Sequence, residues 1–238
     1  MYSPDRAQAV PADPGRPIRL GRVPIPAVRR LSLYLRELEA LLKKDCQTIS
    51  SKQLGNALGL TDAQVRKDLA CFGQFGQPGV GYRVNELIVR IRRILGTDRT
   101  WKALLVGIGH LGTALLSYGG FFSKGFQIVA AFDNDPAKIG RVVGVPPGLE
   151  ILPLDRLEPV IAAHDVQMAI LCVPADAAQG LADRLVAGGI KGILSFAPQT
   201  LNVPEQVSLA SVDLALRLEQ LAFHISANQL EEEKAGTR

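Results

Sequence analysis

The sequence is poor in the residues on which many kinds of site depend. Its 238 residues include three cysteines and three histidines. Cys46, Cys71 and Cys172 are widely spaced and form no CxxC pair, which indicates neither a disulfide framework nor a zinc site. We therefore expect no bound metal and a reducing, cytoplasmic setting.

Long apolar runs are also absent. No stretch approaches the roughly 18 residues of a membrane-spanning helix, and the first residues lack the apolar core of a signal peptide. With 47% hydrophobic and 21% charged residues, the composition is that of a globular protein of one large or two ordinary domains. We expect a soluble protein with no membrane partner.

Charge is divided unevenly along the chain. Residues 1–100 carry 17 Lys and Arg against 9 Asp and Glu, and residues 101–238 carry 10 against 14. Lys and Arg gain most from displacing counterions on nucleic acid. The pattern favours a polyanion partner for the first half alone, and a solvated basic face is the alternative.

The first half begins with a proline-rich segment. Residues 1–24 have almost no apolar periodicity, which predicts a flexible tail. Pro26 suits a first helical position, and apolar residues then recur at three- and four-residue steps, which predicts a long amphipathic helix. The stripe consists of Val28, Leu31, Leu35, Leu38 and Leu42.

Two short capped helices follow. Ser50 with Gln53 forms a capping box that begins the first, and Gly59 ends it. Thr61 with Gln64 forms a second capping box, and such a closely spaced pair is typical of a helix-turn-helix. The apolar face of the second helix consists of Val65, Leu69 and Phe72.

The second of these helices carries the candidate base-reading residues. If its apolar face packs on the core, then at 100° per residue Lys67 points away, with Gln64 and Arg66 on its flanks. Lys and Arg can bond guanine, and Gln can pair with adenine; ordinary surface residues are the alternative. Candidate phosphate contacts are Lys52, Arg90, Arg92 and Arg93.

Glycine marks the rest of this half. Dense glycines between Gln74 and Tyr82 predict a hairpin or wing. Leu87, Ile91 and Leu95 predict a last helix, which Gly96 closes at a domain boundary.

From Trp101 onward, short apolar runs alternate with helical stretches. Such runs suit parallel strands buried on both faces, so the alternation predicts a doubly wound parallel sheet in an α/β protein. The expected strands are 103–106, 128–132, 168–173 and 190–195, with a candidate edge strand at 207–209; the expected helices are 113–123, 154–163 and 177–187.

The chain ends in one more helical pattern, before the charged run Glu231–Lys234. Because no domain follows, its apolar stripe must pack on something, and a second subunit is a natural candidate. The stripe consists of Leu214, Leu218, Leu221 and Ile225.

A Gly-x-Gly-x-x-Gly turn opens the second half, formed by Gly107, Ile108, Gly109, His110, Leu111 and Gly112. The glycines permit a tight turn, close approach of a pyrophosphate and close packing of helix on strand. Asp133 ends the next strand about twenty residues later, where a carboxylate accepts hydrogen bonds from an adenosine ribose. That carboxylate would repel a 2′-phosphate, and Asn134-Asp135-Pro136 supplies no cation for one, so we expect NAD rather than NADP.

Two later strand ends reach the same edge of the sheet. Val173-Pro174 and Phe196 either line a nicotinamide pocket or belong to ordinary loops. None of His110, His164 and His224 is well placed as a catalytic acid or base. The sequence therefore predicts a cofactor site without catalytic residues. An NAD-dependent oxidoreductase with an accessory helical domain and a module for a CoA-type ligand are the alternatives.

These segments, in this order and spacing, resemble the Rex family of bacterial redox-sensing transcriptional repressors. The match runs from about Pro26 to about Ala227. It comprises Pro26, Arg30-Leu31, Tyr34-Leu35-Arg36, 64–69, Gly79-Val80-Gly81-Tyr82, the glycine turn, Phe132-Asp133, 189–194 and Phe196-Ala197-Pro198.

The resemblance implies four parts. They are a tail (1–24), a winged-helix DNA-binding domain (25–97), an NAD-binding Rossmann domain (98–210) and a C-terminal helix (211–230) exchanged between the subunits of a homodimer. It further implies a sensor of the NADH/NAD⁺ ratio that binds double-stranded operator DNA with an inverted repeat. NADH releases the family's members from the operator, whereas the NAD⁺ form is compatible with binding.

Residue roles follow from motif position in the resemblance. Lys67 and Arg66 fall on the recognition helix, and Gly79 falls in the wing. Arg36, Tyr82 and Asp213 match residues that link the two domains and respond to the nicotinamide.

The wing departs from the family's pattern. Where the family usually carries Arg or Lys for the minor groove, this chain has Gln77-Pro78. Pro78 offers neither a charge nor an N–H donor, so we expect weaker operator affinity or a weaker A·T preference.

Overall fold

The computed structural model describes residues 24–73, 75–76 and 80–236, without the side chains of Ile25 and of residues 230–236. The chain divides into two compact units between Arg99 and Thr100. Nearly all of the expected tail, the departure at Gln77-Pro78 and the wing residue Gly79 lie outside the described residues.

The first unit is a small helical domain with one two-stranded sheet. Its elements are α1 (Ile25–Leu42), β1 (Thr48–Ile49), α2 (Ser51–Leu58), α3 (Asp62–Ala70), β2 (Tyr82–Arg83) and α4 (Val84–Leu95). The apolar faces of the four helices share one core, in which Leu31, Val65 and Ile91 are fully buried. The expected stripe of α1 holds except at Val28, which is 36% exposed, because Ala27 and Tyr34 turn inward beside Leu31.

The helix ends explain the helix-turn-helix. The Ser50 box is confirmed: its Oγ accepts from the Gln53 N–H at 3.1 Å, and Gln53 Oε1 accepts from the Ser50 N–H at 2.9 Å. Gly59 then ends α2 with φ 67°. Thr61 caps α3 through the Gln64 N–H at 3.1 Å, but the second box is wrong in its other half, because the Gln64 side chain bonds Asp68 instead.

The glycine-rich segment leads into one strand of a two-stranded pair. β2 begins at Tyr82 and pairs antiparallel with β1, a strand before the helix-turn-helix. The expected hairpin or wing stays a prediction, because much of the segment lies outside the described residues. Gly81 allows this approach: at φ 88°, an added Cβ would lie 2.6 Å from the carbonyl oxygen of Ile49.

The second unit contains a seven-stranded sheet. The strands are β3 (Trp101–Val106), β4 (Phe126–Asp133), β5 (Val142–Val143), β6 (Leu149–Pro153), β7 (Met168–Leu171), β8 (Gly192–Ser195) and β9 (Ser208–Ser211). Their order is β5-β6-β4-β3-β7-β8-β9, and every neighbouring pair is parallel except β5 and β6. The doubly wound parallel sheet is confirmed, with the Rossmann strand order and a switch of direction beside β3.

Helices lie between these strands, and one more helix follows the last strand. They are α5 (His110–Leu116), α6 (Gly120–Ser123), α7 (Leu157–His164), α8 (Ala175–Ala187) and α9 (Leu214–Gly236), with a 3-10 turn at Leu154–Arg156. The single helix expected at 113–123 is wrong, since the chain leaves the helix at Ser117–Gly119. Alternate residues of β3 serve two cores: Leu104 belongs to the core of α7 and α8, and Leu105 packs with Leu116 of α5.

The last helix has an exposed apolar side. Leu214, Leu218 and Phe223 are 61%, 66% and 70% exposed, and Leu221 and Ile225 are about as accessible. Among the described helices, none is long and apolar enough to cross a membrane.

Candidate dinucleotide cleft and nucleic-acid interface

The glycine turn begins where β3 meets the end of β7. Gly107 has φ 95°, and an added Cβ would lie 2.4 Å from the carbonyl oxygen of Cys172. A side chain here would therefore force the two strand ends apart.

The other two glycines of the motif have different surroundings. An added Cβ at Gly112 would lie 2.1 Å from the carbonyl oxygen of Gly107, so α5 can approach the turn only without a side chain here. At Gly109 an added Cβ would meet no atom within 4 Å, and this residue borders an open cleft. Folding explains Gly107 and Gly112, whereas no neighbouring protein atom requires glycine at position 109, and its backbone is open to a ligand in the cleft.

Asp133 is the buried carboxylate of this cleft, with 5% exposure. Its Oδ2 accepts from the Ile108 N–H at 2.7 Å and from Lys138 Nζ at 3.1 Å, and its Oδ1 accepts from the Asp135 N–H at 2.9 Å. Burial acts to raise the pKa of Asp133, but these three donors outweigh burial and hold the pKa below the usual aspartate range. The carboxylate is therefore charged at neutral pH.

The cleft has a volume of about 550 Å³ and lies at the switch point of the sheet. Of the candidate cofactor residues, the lining includes Gly107, Gly109, His110, Leu111, Asp133, Val173 and Pro174. The Ile108 side chain is buried behind the turn, and Gly112 packs beneath it. Phe196 follows the next strand and packs on the core of the other sheet face, outside this lining.

Sequence reasoning missed part of the lining. Val106, Asn134, Lys138, Leu154, Cys172, Ala177 and Leu181 also border the cleft. Asn134, Asp135 and Pro136 supply no cation, as expected, but Lys138, two residues beyond Pro136, brings its ammonium to 3.1 Å from Asp133. Its position five residues after Asp133 was visible in the sequence.

Cys172 forms a wall of the same cleft. The thiol is partly buried, and burial raises its pKa to about 11. It is therefore protonated at neutral pH and suits a packing role better than a nucleophilic one. Within the described part of the chain, no group of three or more His, Cys, Asp or Glu is arranged to hold a metal.

In the first unit, the three candidate base-reading side chains differ in whether they already have a hydrogen-bond partner in the protein. Gln64 donates from Nε2 to Asp68 at 2.7 Å, and Arg66 donates to Asp62 at 2.6 Å. Lys67 is exposed, and its ammonium has no hydrogen-bond partner among the described residues. Lys67 is therefore the reader most available to a ligand. Asp68 lies four residues after Gln64, and Asp62 lies four residues before Arg66, a spacing at which helical side chains contact each other and which is visible in the sequence.

Asp68 forms a buried cluster beneath the recognition helix. It is 2% exposed and accepts two hydrogen bonds from Arg30, one from the Tyr34 hydroxyl at 2.7 Å and one from Gln64. Burial acts to raise its pKa, but these donors outweigh burial and lower the pKa. The cluster fixes α3 on α1.

The candidate phosphate contacts also differ. Lys52 is exposed on α2. Arg92 pairs with Glu39 at 2.9 Å, and the Arg90 guanidinium lies 5.5 Å from the centre of the Phe75 ring. The two arginines therefore make contacts that stabilise their own unit, so that Lys52 and Lys67 carry the less committed charges.

Comparisons with known proteins agree with this arrangement. A family model described as "Putative DNA-binding protein N-terminus" matches residues 22–70, and one described as "CoA binding domain" matches residues 98–199. A redox-sensing transcriptional repressor Rex of Carboxydothermus hydrogenoformans is 49% identical over 204 residues, which cover 86% of this chain and 97% of that protein. The chain belongs to the Rex family. A Rex repressor of Syntrophobacter fumaroxidans is 44% identical over 88% of this chain and 99% of its own length.

Solved Rex structures share the fold. The Rex-family repressor RSP in complex with β-NAD⁺ and operator DNA has a TM-score of 0.83 and 39% identity, covering 90% of this chain and 97% of its own. RSP in complex with β-NADH has a TM-score of 0.80 and 37% identity, covering 89% and 98%. The α/β fold class, with a DNA-binding domain before a Rossmann sheet, is confirmed.

Three residues were expected to transmit the signal in a Rex protein. Arg36 is exposed on α1, whereas Tyr82 is 8% exposed within the core of the first unit. Asp213 caps α9, its Oδ1 accepting from the Leu216 N–H at 3.0 Å. Their role in signalling stays a prediction.

Proposed function

We propose that this protein is a DNA-binding transcriptional repressor that senses the NADH/NAD⁺ ratio, and that NADH binding releases it from operator DNA. The observation that carries the proposal is the glycine turn, whose Gly109 is open to a cleft beside the charged Asp133. This cleft occurs in a chain that also carries a helix-turn-helix with an uncommitted Lys67. Rex-family RSP binds β-NAD⁺, β-NADH and operator DNA in its solved complexes.

The division of labour follows the two units. We assign residues 25–97 to DNA binding, residues 98–210 to the dinucleotide and residues 211–230 to the dimer. The DNA contacts are Lys52, Gln64, Arg66, Lys67 and Gly79. The dinucleotide contacts are the turn Gly107–Gly112, Asp133, Val173, Pro174 and Phe196, of which Phe196 requires movement of its loop toward the cleft.

A second copy of the chain completes the proposed repressor. The apolar side of α9 is exposed, and the second unit also has an apolar groove of about 560 Å³ along one sheet face, which Ile170, Leu194 and Leu209 help to line. A twofold dimer would cover such surfaces and match an operator with an inverted repeat. In this dimer, Arg36, Tyr82 and Asp213 are the proposed residues of signal transmission.

The coupling obeys a thermodynamic constraint. NADH can change DNA affinity only through a difference in its affinity for the DNA-competent and DNA-incompetent dimers. The effect is reciprocal, so operator DNA weakens NADH binding by the same factor. Because reduction removes the positive charge of the nicotinamide, apolar groups such as Val173 and Pro174 favour the reduced ring.

We propose a sensor site rather than an active site. The Rex relatives are named as repressors. The cytoplasm, where NADH and bacterial DNA meet, is the proposed location. Turnover of NADH with a small carbonyl substrate would favour the oxidoreductase alternative.

The decisive experiment measures DNA binding across NADH/NAD⁺ ratios at fixed salt, because affinity for DNA depends steeply on salt. The probe is a duplex selected from a random library by the full-length protein in NAD⁺. We expect saturating NADH to weaken binding, coenzyme A to leave it unchanged, and Lys67→Ala to cost about 1–3 kcal/mol of specific binding. Equal affinity in saturating NADH and NAD⁺ would contradict the proposed function.

A further inference from the structure

Lys138 stands in the cleft where the adenosine ribose of a dinucleotide is expected. Its Nζ lies 3.1 Å from Oδ2 of Asp133 and 3.9 Å from Oδ2 of Asp135. The side chain is 34% exposed and belongs to the lining of the cleft. A partly exposed cation therefore accompanies the buried carboxylate that a Rossmann fold offers to the ribose.

The hydrogen-bonding capacity of Asp133 is nearly used by the protein. An ionised carboxylate has about four acceptor positions. Oδ2 receives the Ile108 N–H and Lys138, and Oδ1 receives the Asp135 N–H. About one position, on Oδ1, is left for a ligand. A ribose carries two neighbouring hydroxyls, so Asp133 alone cannot accept from both.

Lys138 supplies the missing capacity. An ammonium has three donors, and its one hydrogen bond to Asp133 leaves donors for a hydroxyl oxygen beside that carboxylate. We propose that Lys138 is a ribose-binding and specificity-determining residue. The Asp133–Lys138 pair, rather than Asp133 alone, then recognises the ribose and discriminates NADH from NADPH. This inference rests on the proposed function, because it requires a dinucleotide in the cleft.

The two charges of the pair act in opposite directions on a 2′-phosphate. Asp133 repels the phosphate and Lys138 attracts it. Without Lys138 the repulsion is uncompensated, so NADPH binding weakens more than NADH binding does. Without the Asp133 carboxylate, Lys138 becomes a phosphate-binding group. A carboxylate that acted alone would make Lys138 irrelevant to both dinucleotides.

The first test titrates NADH and NADPH into the full-length protein by calorimetry at fixed salt. We expect Lys138→Ala to raise the Kd of NADH about tenfold, the loss of one charge-assisted hydrogen bond at a partly exposed site. The Kd of NADPH should rise by more. Lys138→Arg should restore most of the NADH affinity, since it keeps the charge and the donors. The control is Lys191→Ala. Lys191 is exposed just before β8, at the amino ends of the parallel strands, whereas the cleft lies at their carboxyl ends.

The second test uses the partner of Lys138. We expect Asp133→Ser to strengthen NADPH binding at least about tenfold by exposing the Lys138 charge, and Asp133→Ser with Lys138→Ala to abolish that gain. Trp101 fluorescence checks that the second unit is folded in both. The inference alone is overturned if Lys138→Ala binds both dinucleotides as Lys191→Ala does, or if the double variant keeps the gain. Failure of the unsubstituted protein to bind NADH would overturn the proposed function as well.

Discussion

Two buried aspartates, one in each unit, have nearly the same burial but different partners. Asp68 and Asp133 are 2% and 5% exposed, and hydrogen bonds lower the pKa of both. The Asp68 carboxylate is held by the side chains of Arg30, Tyr34 and Gln64. The Asp133 carboxylate is held by two backbone N–H groups and one lysine at the wall of a cleft.

The partners indicate what each carboxylate does. Side chains from α1 reach Asp68 on α3, so the charge joins two elements and leaves little for a ligand. Of the backbone donors to Asp133, the Asp135 N–H closes a local turn and the Ile108 N–H belongs to the glycine turn after β3, so the charge shapes the wall of the cleft and leaves about one acceptor position for a ligand. Burial and pKa alone would not separate the structural carboxylate from the ligand-binding one.

The largest effect is expected from breaking the Asp68 cluster. Asp68→Ala should destabilise the first unit by about 3 kcal/mol, because loss of one partner leaves buried donors and the Arg30 charge uncompensated. Hydrogen exchange of the α1 and α3 amides in the full-length protein measures this loss. Exchange in the second unit should be unchanged.

A matched ion pair on the same helix provides the control. Asp62 pairs with Arg66 in the open, with side chains 46% and 55% exposed. Exposed pairs contribute little to stability, so Asp62→Ala should leave exchange in α1 almost unaltered. Equal losses of exchange protection in the two variants would show that the Asp68 cluster does not hold α3 on α1.

Periodicity and caps account for most of the helices and central strands. The apolar runs at β3, β4 and β7 and the Ser50 cap are local signals that do not depend on the rest of the fold. By contrast, β6 follows Val145-Pro146-Pro147-Gly148 and ends at Pro153, and its pairing with β4 depends on contacts distant in sequence. β1 has two residues and takes its conformation from β2, so no pattern of its own could reveal it.

A smaller effect, on ligand affinity, separates the glycines of the turn. Gly109→Ala should leave the fold intact, because its Cβ would meet no protein atom within 4 Å. It should weaken NADH binding about tenfold or more, because the methyl group occupies the path of the pyrophosphate. Calorimetry measures the binding, and Trp101 fluorescence follows unfolding of the second unit.

Gly112→Ala should show the reverse order of effects. Its Cβ would lie 2.1 Å from the Gly107 carbonyl oxygen, so overpacking should cost about 1–3 kcal/mol of stability, and the loss of binding follows from that. If Gly109→Ala destabilised the unit more than Gly112→Ala did, our division of the motif into folding and ligand glycines would be wrong.

The candidate site was predictable at positions where a local motif or the helix period alone determines which residue faces the ligand. The glycine turn and Asp133 follow from such rules, and so does Lys67, whose angular position on α3 needs only the helix period. Gln64 and Arg66 are different, since whether a polar side chain faces DNA or an Asp four residues away depends on competition within the folded unit. Lys138 could not be placed from its sequence position, because its approach to Asp133 depends on how the chain turns after Pro136.

The smallest effect is a loss of stability at alkaline pH. We expect it at the Asp68 cluster, which contains Tyr34, and not at Asp133. Burial, and then the hydrogen bond to Asp68, raise the pKa of Tyr34. A raised folded pKa gives stability that is fully present below the unfolded tyrosine pKa of about 10 and is lost as pH rises above it. Ionisation of Tyr34 should therefore cost the first unit about 1 kcal/mol of stability between pH 8 and pH 11.

Burial raises the pKa of Tyr82 as well, so Tyr34→Phe should reduce the alkaline loss of stability and Tyr34→Phe with Tyr82→Phe should reduce it further. Circular dichroism of urea unfolding at the two pH values measures the difference, with Tyr118→Phe in the second unit as the control. If Tyr34→Phe left the alkaline loss of stability unchanged, the Tyr34 hydroxyl would not be held by Asp68. Arg30 and Gln64 would then be the only side chains that hold the Asp68 carboxylate among the described residues.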